Sequence, residues 1–233
     1  QEVGYWPYGY NSFYFDITKQ LMPGKKNTLA VRLENLPESS RWYPGAGLYR
    51  NVHAIVTENA YIPVWGTYIT TPTAAKVNVQ TKIVLPEGAD ASKYSVKTSV
   101  WNPNGQKLTE QTTPLSQIKY NDNSLSQEFI IQTPTLWSPD MPALYSAETR
   151  LYEGDQLKDI YTTPFGIRSI EIIPNKGFFL NGEKTVFKGV CNHHDLGPLG
   201  AAVNDAAIRR QIRILKDMGT LSVLPIICRL PSW

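Results

Sequence analysis

The 233 residues include 23 basic and 20 acidic side chains, giving a formal charge of +3, and 42% are hydrophobic, an ordinary globular balance. With no Lys/Arg cluster and no basic helix face, nucleic acid and anionic membrane surfaces are excluded as expected partners, and no apolar run reaches the ~20 residues of a membrane span. Two Cys, Cys191 and Cys228, are too few for a disulfide scaffold and lack zinc-type spacing with His, while 17 Pro and 16 Gly disfavour a helical bundle.

In chain order, residues 11–17 (Asn-Ser-Phe-Tyr-Phe-Asp-Ile) and 28–33 (Thr-Leu-Ala-Val-Arg-Leu) alternate apolar and polar across a Pro23-Gly24 turn, which predicts two half-buried strands. Trp6, Tyr8 and Tyr10 are expected to fill the core beside them. A Gly/Pro loop rich in aromatic residues, 39–50, leads into a third alternating run, 51–56. Further strands are predicted over 67–71, 76–85, 94–101, 125–132 and 145–152, with breaks such as Asn102-Pro-Asn-Gly105. Short strands at that spacing between Tyr61 and Ile167 read as one immunoglobulin-like sandwich. Trp137, beside Pro-bounded turns, is expected to pack at a sandwich end.

After Gly166 the texture changes. Residues 177–182 (Gly-Phe-Phe-Leu-Asn-Gly) predict a hairpin, 185–190 a buried strand, and 206–218 a helix. The helix starts at Asn204-Asp205, carries Ile208, Ile212, Leu215 and Met218 on one face to pack on a sheet, and stops at Gly219. This is a βα pattern, but too few residues follow Gly166 for the about 250 of a (β/α)₈ barrel.

Several motifs in this order resemble glycoside hydrolase family 2, the β-galactosidase, β-glucuronidase and β-mannosidase group, and its β-galactosidase-like members most of all. They are Gly9-Tyr-Asn-Ser-Phe-Tyr-Phe-Asp-Ile-Thr18, Ser40-Arg-Trp-Tyr-Pro-Gly-Ala-Gly-Leu-Tyr-Arg50, Leu136-Trp-Ser-Pro139 with Leu144-Tyr145, Phe165-Gly-Ile-Arg168, and Phe178-Phe-Leu-Asn-Gly182 followed by Lys188-Gly-Val-Cys-Asn-His-His-Asp195. The resemblance implies a mainly β chain: part of a sugar-binding jelly-roll sandwich over 1–60, an immunoglobulin-like β-sandwich over 61–167, and the opening of a truncated (β/α)₈ barrel over 168–220. Gln1 would then fall inside the jelly roll, leaving unpaired edges and exposed apolar surface.

Read by themselves, Asn192-His193-His194-Asp195 are either polar loop surface or a site, since they follow a strand whose end would face a barrel's active site. The resemblance implies that His193 hydrogen-bonds sugar hydroxyls, with Asn192, His194 and Asp195 as its neighbours. A metal shared by His193, His194 and Asp195 is disfavoured, because successive residues of an extended chain point to opposite sides. Arg41, Trp42 and Tyr43 either wall the sugar pocket, by stacking and fixed donors, or pack the loop on the barrel. The retaining reaction implied by the family needs two Glu about 5 Å apart. Neither is assigned here, because the Asn-Glu motif is absent after Gly166 and Glu171 and Glu183 read as surface charges. The chain is therefore expected to be inactive alone, a fragment of an enzyme that hydrolyses terminal β-glycosides.

The last residues carry a frame argument. In the family, the stretch after Lys216-Asp-Met-Gly219 reads Thr-Asn-Ala-Ile-Arg-Thr-Ser-His-Asn. Back-translation from the third base of the Gly219 codon permits Asn-Ala-Ile-Arg-Thr-Ser-His-Asn-Met-Pro, so 221–233, Cys228 included, is expected to be an out-of-frame tail. Two other readings stay open: a non-catalytic carbohydrate-binding or scaffold sandwich, and β-glucuronidase or β-mannosidase specificity. The partner is expected to be a β-galactoside or related carbohydrate, and a homo-oligomer is open. No cofactor motif is identifiable, although a monovalent or divalent cation is compatible with the complete family. The cysteine count leaves the compartment open, with periplasm or exterior favoured over cytoplasm. Because Gln1 is not an initiator Met, a targeting peptide is either removed or not included.

Overall fold

Alternation in the sequence becomes alternation between core and solvent wherever a second sheet is present to cover one face. The computed structural model describes residues 1–9, 11–34, 36–37, 47–117, 124–192, 196–200, 204–220 and 222–225. The chain divides into two units, Ile55–Val186 on the one hand and Gln1–Ala54 with Phe187–Ser232 on the other.

The first unit contains β1 (Thr67–Thr73), β2 (Lys76–Lys82), β3 (Tyr94–Trp101), β4 (Lys107–Pro114), β5 (Ser124–Ile130), β6 (Tyr145–Glu153) and β7 (Gln156–Phe165). They form two antiparallel sheets in the orders β1-β2-β5 and β4-β3-β6-β7. One buried cluster joins Val77 and Val79 of β2 and Phe129 of β5 to Val100 of β3 and Tyr145 and Ala147 of β6, so the sheets pack face to face. A second cluster gathers Ile83, Tyr94, Val96, Leu115, Leu125 and Leu151. This is the immunoglobulin-like sandwich that the strand spacing predicts. The predicted strands fall on β1, β2, β3, β5 and β6, while β4 and β7, both edge strands, are additional.

Both clusters draw on β3, β5 and β6, and buried polar residues on these strands and their neighbours include Thr81, Thr98, Thr113, Gln127 and Thr149. Gln127 reaches across from β5, its Nε2 donating to Thr113 Oγ1 (3.1 Å) and to the carbonyls of Gln111 (3.2 Å) and Val96 (3.4 Å). Thr98 and Thr149, directly opposed on β3 and β6, share a hydroxyl contact of 3.3 Å. The acceptors of Gln127 belong to β3 and β4, so its amide links the two sheets.

Beyond β7 come β8 (Ile170–Ile173), β9 (Gly177–Leu180) and β10 (Glu183–Lys184), a sheet in the order β10-β9-β8. Leu180 pairs with Glu183 across Asn181 and Gly182, whose φ values of 53° and 81° are those of a type I′ turn. The predicted hairpin is therefore present, with Asn181-Gly182 as its two-residue loop.

The second unit holds β11 (Gly189–Asn192), α1 (Asp205–Asp217) and β12 (Ser222–Pro225), with β11 and β12 parallel. Asn204 caps α1 by accepting from the Ala207 amide at 3.1 Å; Asp205 and Lys216 oppose the helix dipole at its two ends, and Gly219 leaves at φ 79°. The helix limits lie within one residue of those predicted. Four residues of the stretch 221–233, Ser222–Pro225, supply β12, where the β-branched Val223 suits a strand.

Four expectations are corrected. Residues 11–17, 28–33 and 51–56 form no strand among the described residues, because alternation makes a strand only where a partner accepts its ladder bonds, and none does here. Trp6 and Tyr8 are 42% and 52% exposed rather than core; Trp6 stacks on Phe13 at 5.4 Å instead, and Tyr10 lies outside the described residues. In 185–190 the strand begins at Gly189, and Val186 and Phe187 are 62% and 59% exposed, because no second layer covers them. The apolar face of α1 is half-buried at Ile208 and Leu215 but exposed at Ile212 and Met218, so it is only partly packed.

Candidate functional site

The site read from the sequence lies where β11 ends. Asn192 is its last residue and pairs in register with Pro225, so it stands at the C-terminal end of both parallel strands. Chain leaving such an end has no ladder to continue and is free to present side chains, which is why α/β proteins gather their chemistry there. His193, His194 and Asp195 follow at once and lie outside the described residues, as do Arg41, Trp42 and Tyr43. The chain resumes in a turn closed by the Leu196 amide donating to the Gly200 carbonyl at 2.8 Å. Cys191, next to Asn192, is an exposed free thiol.

The two Glu residues that follow Gly166 do not form a catalytic pair. Glu171 lies on β8 and Glu183 on β10; both are exposed, and they are not opposed in the β8–β9–β10 register. Among the described residues no three His, Cys, Asp or Glu side chains gather as a metal site. The perturbed acids lie elsewhere: Asp16, held below the ordinary value by Thr18, in the N-terminal segment, and Asp90, Glu110 and Glu153 in the sandwich. Lys158 donates to Glu153 at 3.1 Å and holds its carboxyl below the ordinary value, with Tyr94 assisting, while burial pushes the Tyr94 phenol up.

Three of the sequence motifs converge on one end of the sandwich. Trp137 donates its amide to the Ile167 carbonyl (2.8 Å), and a Cβ on Gly166 would stand 3.0 Å from Trp137 Cβ and Cγ, so any larger residue there would press on the indole. The Arg168 guanidinium lies over the same ring at 5.2 Å. Asn181, at the hairpin tip, donates from Nδ2 to the Trp137 carbonyl (3.0 Å), accepts from the Ser169 amide at Oδ1 (3.1 Å), and gives its own amide to the Ser169 carbonyl (2.9 Å). The motifs at 136–139, 165–168 and 178–182 thus make a clasp that fixes the hairpin on the sandwich. Asn-Gly announced the turn in the sequence, whereas its hold on a residue 44 positions earlier is a tertiary fact.

The family model for glycosyl hydrolases family 2 matches residues 60–168, the sandwich up to Arg168. Over 222 residues the chain is 40% identical to the beta-galactosidase BoGH2A of Bacteroides ovatus, an alignment covering 93% of this chain and 26% of that protein. The chain belongs to glycoside hydrolase family 2. A beta-glucuronidase of Bacteroides fragilis is 27% identical over 232 residues, covering 92% of this chain and 33% of that one. Among solved structures, a beta-glycosidase from Bacteroides vulgatus superposes with a TM-score of 0.68 at 31% identity, over 80% of this chain and 23% of its own. A family 2 member from Bacteroides cellulosilyticus gives 0.65 at 33% identity, over 73% and 24%. The chain thus spans about a quarter of the length of the Bacteroides ovatus relative. Within the family, homologues named as beta-galactosidases and beta-glucuronidases make carbohydrate the substrate class of the glycosidases to which this chain is related.

Proposed function

We infer that this chain is the part of a retaining β-galactosidase that supports and opens the catalytic domain, and that terminal β-galactosides are the substrate of the complete protein. The observation that carries this reading is the 40% identity to a beta-galactosidase along 93% of the chain. In this reading residues 1–60 belong to a jelly roll, 61–167 to the sandwich and 168–220 to the start of a barrel, while 221–233 is read out of frame. His193, at the strand end after Asn192, donates to sugar hydroxyls as charge develops at the anomeric carbon, with Asn192 and Asp195 orienting it and Arg41 and Trp42 walling the sugar. The two carboxylates that retention needs are not among the 233 residues, so the chain alone does not turn over. A β-glucuronide is the second reading, favoured by the Bacteroides fragilis relative.

The test begins by sequencing the gene from the Gly219 codon onward and expressing the longest frame that restores the family pattern. That protein is assayed on chromogenic β-galactoside, β-glucuronide and β-mannoside, beside the 233-residue chain and a His193→Ala variant. Support consists of galactoside hydrolysis by the restored protein, none by the short chain, and severe loss of turnover in the folded variant. Turnover by the short chain, or near-normal turnover without His193, refutes the reading.

A further inference from the structure

The sequence contains two Asn-Gly pairs, Asn104-Gly105 and Asn181-Gly182, and the structure gives them opposite surroundings. An Asn followed by glycine is open to self-attack, because no side chain shields the glycine nitrogen. That nitrogen loses its proton and bonds to the Asn Cγ. The Cγ–Nδ2 bond breaks, ammonia leaves with the proton, and water then opens the cyclic imide to Asp or its β-linked isomer. The balance is Asn plus water to Asp plus ammonia, with no oxidant required.

Asn104 is exposed at the tip of the β3–β4 hairpin, and its side chain makes no hydrogen bond among the described residues. The turn beneath is held by Asn102, whose Oδ1 accepts from the backbone amides of Asn104 (3.0 Å) and Gln106 (2.9 Å), so the backbone of the tip is fixed while the Asn104 side-chain amide is not restrained. One bond opposes the attack, from the Gly105 amide to the Asn102 carbonyl at 3.0 Å, and a single exposed turn bond opens readily. Asn181 is pinned on both side-chain atoms, by the Ser169 amide at Oδ1 and the Trp137 carbonyl at Nδ2. Its Cγ cannot rotate toward Gly182 without opening both bonds, which slows the reaction about tenfold or more.

We propose that Asn104-Gly105 is the spontaneous deamidation site of this protein and that Asn181-Gly182 is protected by its clasp. Conversion at Asn104 adds a negative charge at a solvent-facing tip and leaves the fold unchanged. Conversion at Asn181 sets a carboxylate oxygen against the Trp137 carbonyl and opens the clasp.

The test incubates the 233-residue protein at mildly alkaline pH, folded and in guanidinium, and follows both peptides by mass spectrometry. In guanidinium the two sites convert at similar rates; in the folded protein Asn181 lags Asn104 about tenfold or more. Comparable folded-state rates, or Asn181 leading, overturn the proposal. Independently, Asn181→Asp lowers the thermal midpoint of the sandwich and Asn104→Asp leaves it unchanged. The reverse order overturns the clasp as protector.

Discussion

Glu110 on β4 is an exposed carboxylate whose charge is decided by three donors. Lys97 on β3 lies 2.8 Å from Oε1, while Lys107 (3.0 Å) and the Ser99 hydroxyl (2.9 Å) reach Oε2. Lys97, then Lys107 and Ser99, hold its carboxyl at about 2 against an ordinary 4.5. All three favour the ionised form, so the native state resists protonation that the unfolded chain accepts. The contribution to stability is complete above about pH 4.5 and is lost as the pH falls through about 2. Solvent reaches the group and screens it, so the effect is modest in size but fixed in sign. Glu110→Gln is expected to lower the urea midpoint at neutral pH, with the gap to the parent closing between pH 4.5 and 2. A gap that persists unchanged at pH 2 means the carboxylate's charge is not what stabilises. No sequence pattern marks Glu110, because two of its donors, Lys97 and Ser99, reach it from β3, and only Lys107 lies on its own strand.

At the scale of elements, legibility followed burial. The strands β3 and β6 lie at the centre of their sheet, β6 alternates along most of its length and β3 over its first half, and the sequence reading places their limits within a residue. The edge strands β4 and β7 expose residues on both faces, so their polar runs carried no period to read. Asn181-Gly182 was readable because a type I′ turn asks for those residues, whereas the runs in 11–17, 28–33 and 51–56 alternate without finding a partner. The candidate site was legible only by resemblance, since Asn192-His193-His194-Asp195 has neither period nor spacing of its own. Buried polar residues were not foreseen either: Thr98, Gln127 and Thr149 sit at alternating positions where apolar residues are the rule. Gln127 is the member that joins the sheets, and its Oε1 is buried without a partner among the described residues. Gln127→Ala would empty its place and strand the Thr113 hydroxyl and Gln111 carbonyl, a cost of about 2–4 kcal/mol. Denaturant unfolding measures it, and a cost below about 1 kcal/mol would mean that the layer relaxes around the gap.

Across the whole molecule, apolar burial is confined to one unit. Every fully buried hydrophobic side chain among the described residues, from Ala60 to Ile167, belongs to Ile55–Val186. In the other unit Leu29, Val31, Leu33 and Val52 are exposed, and residues 1–54 make no ladder bonds among those described. Burial contributes about 25 cal/mol per Å² of apolar surface, so the free energy of folding is concentrated in the sandwich, and the other unit opens at lower cost. Limited digestion with trypsin should therefore cut first on either side of the sandwich, at exposed basic residues such as Lys25, Lys26 and Lys188. The resistant product should retain the 60–167 core and unfold cooperatively. A dye that fluoresces on exposed apolar surface should bind the parent chain and lose most of its signal on the product. Early cleavage within β2, β3 or β6, or dye binding that stays with the product, would place the weak region inside the sandwich and contradict this distribution of stability. Removal of both flanks should also leave the Asn181 clasp intact, because all its partners, Trp137, Ser169 and Arg168 with Gly166 beneath, lie in the resistant unit.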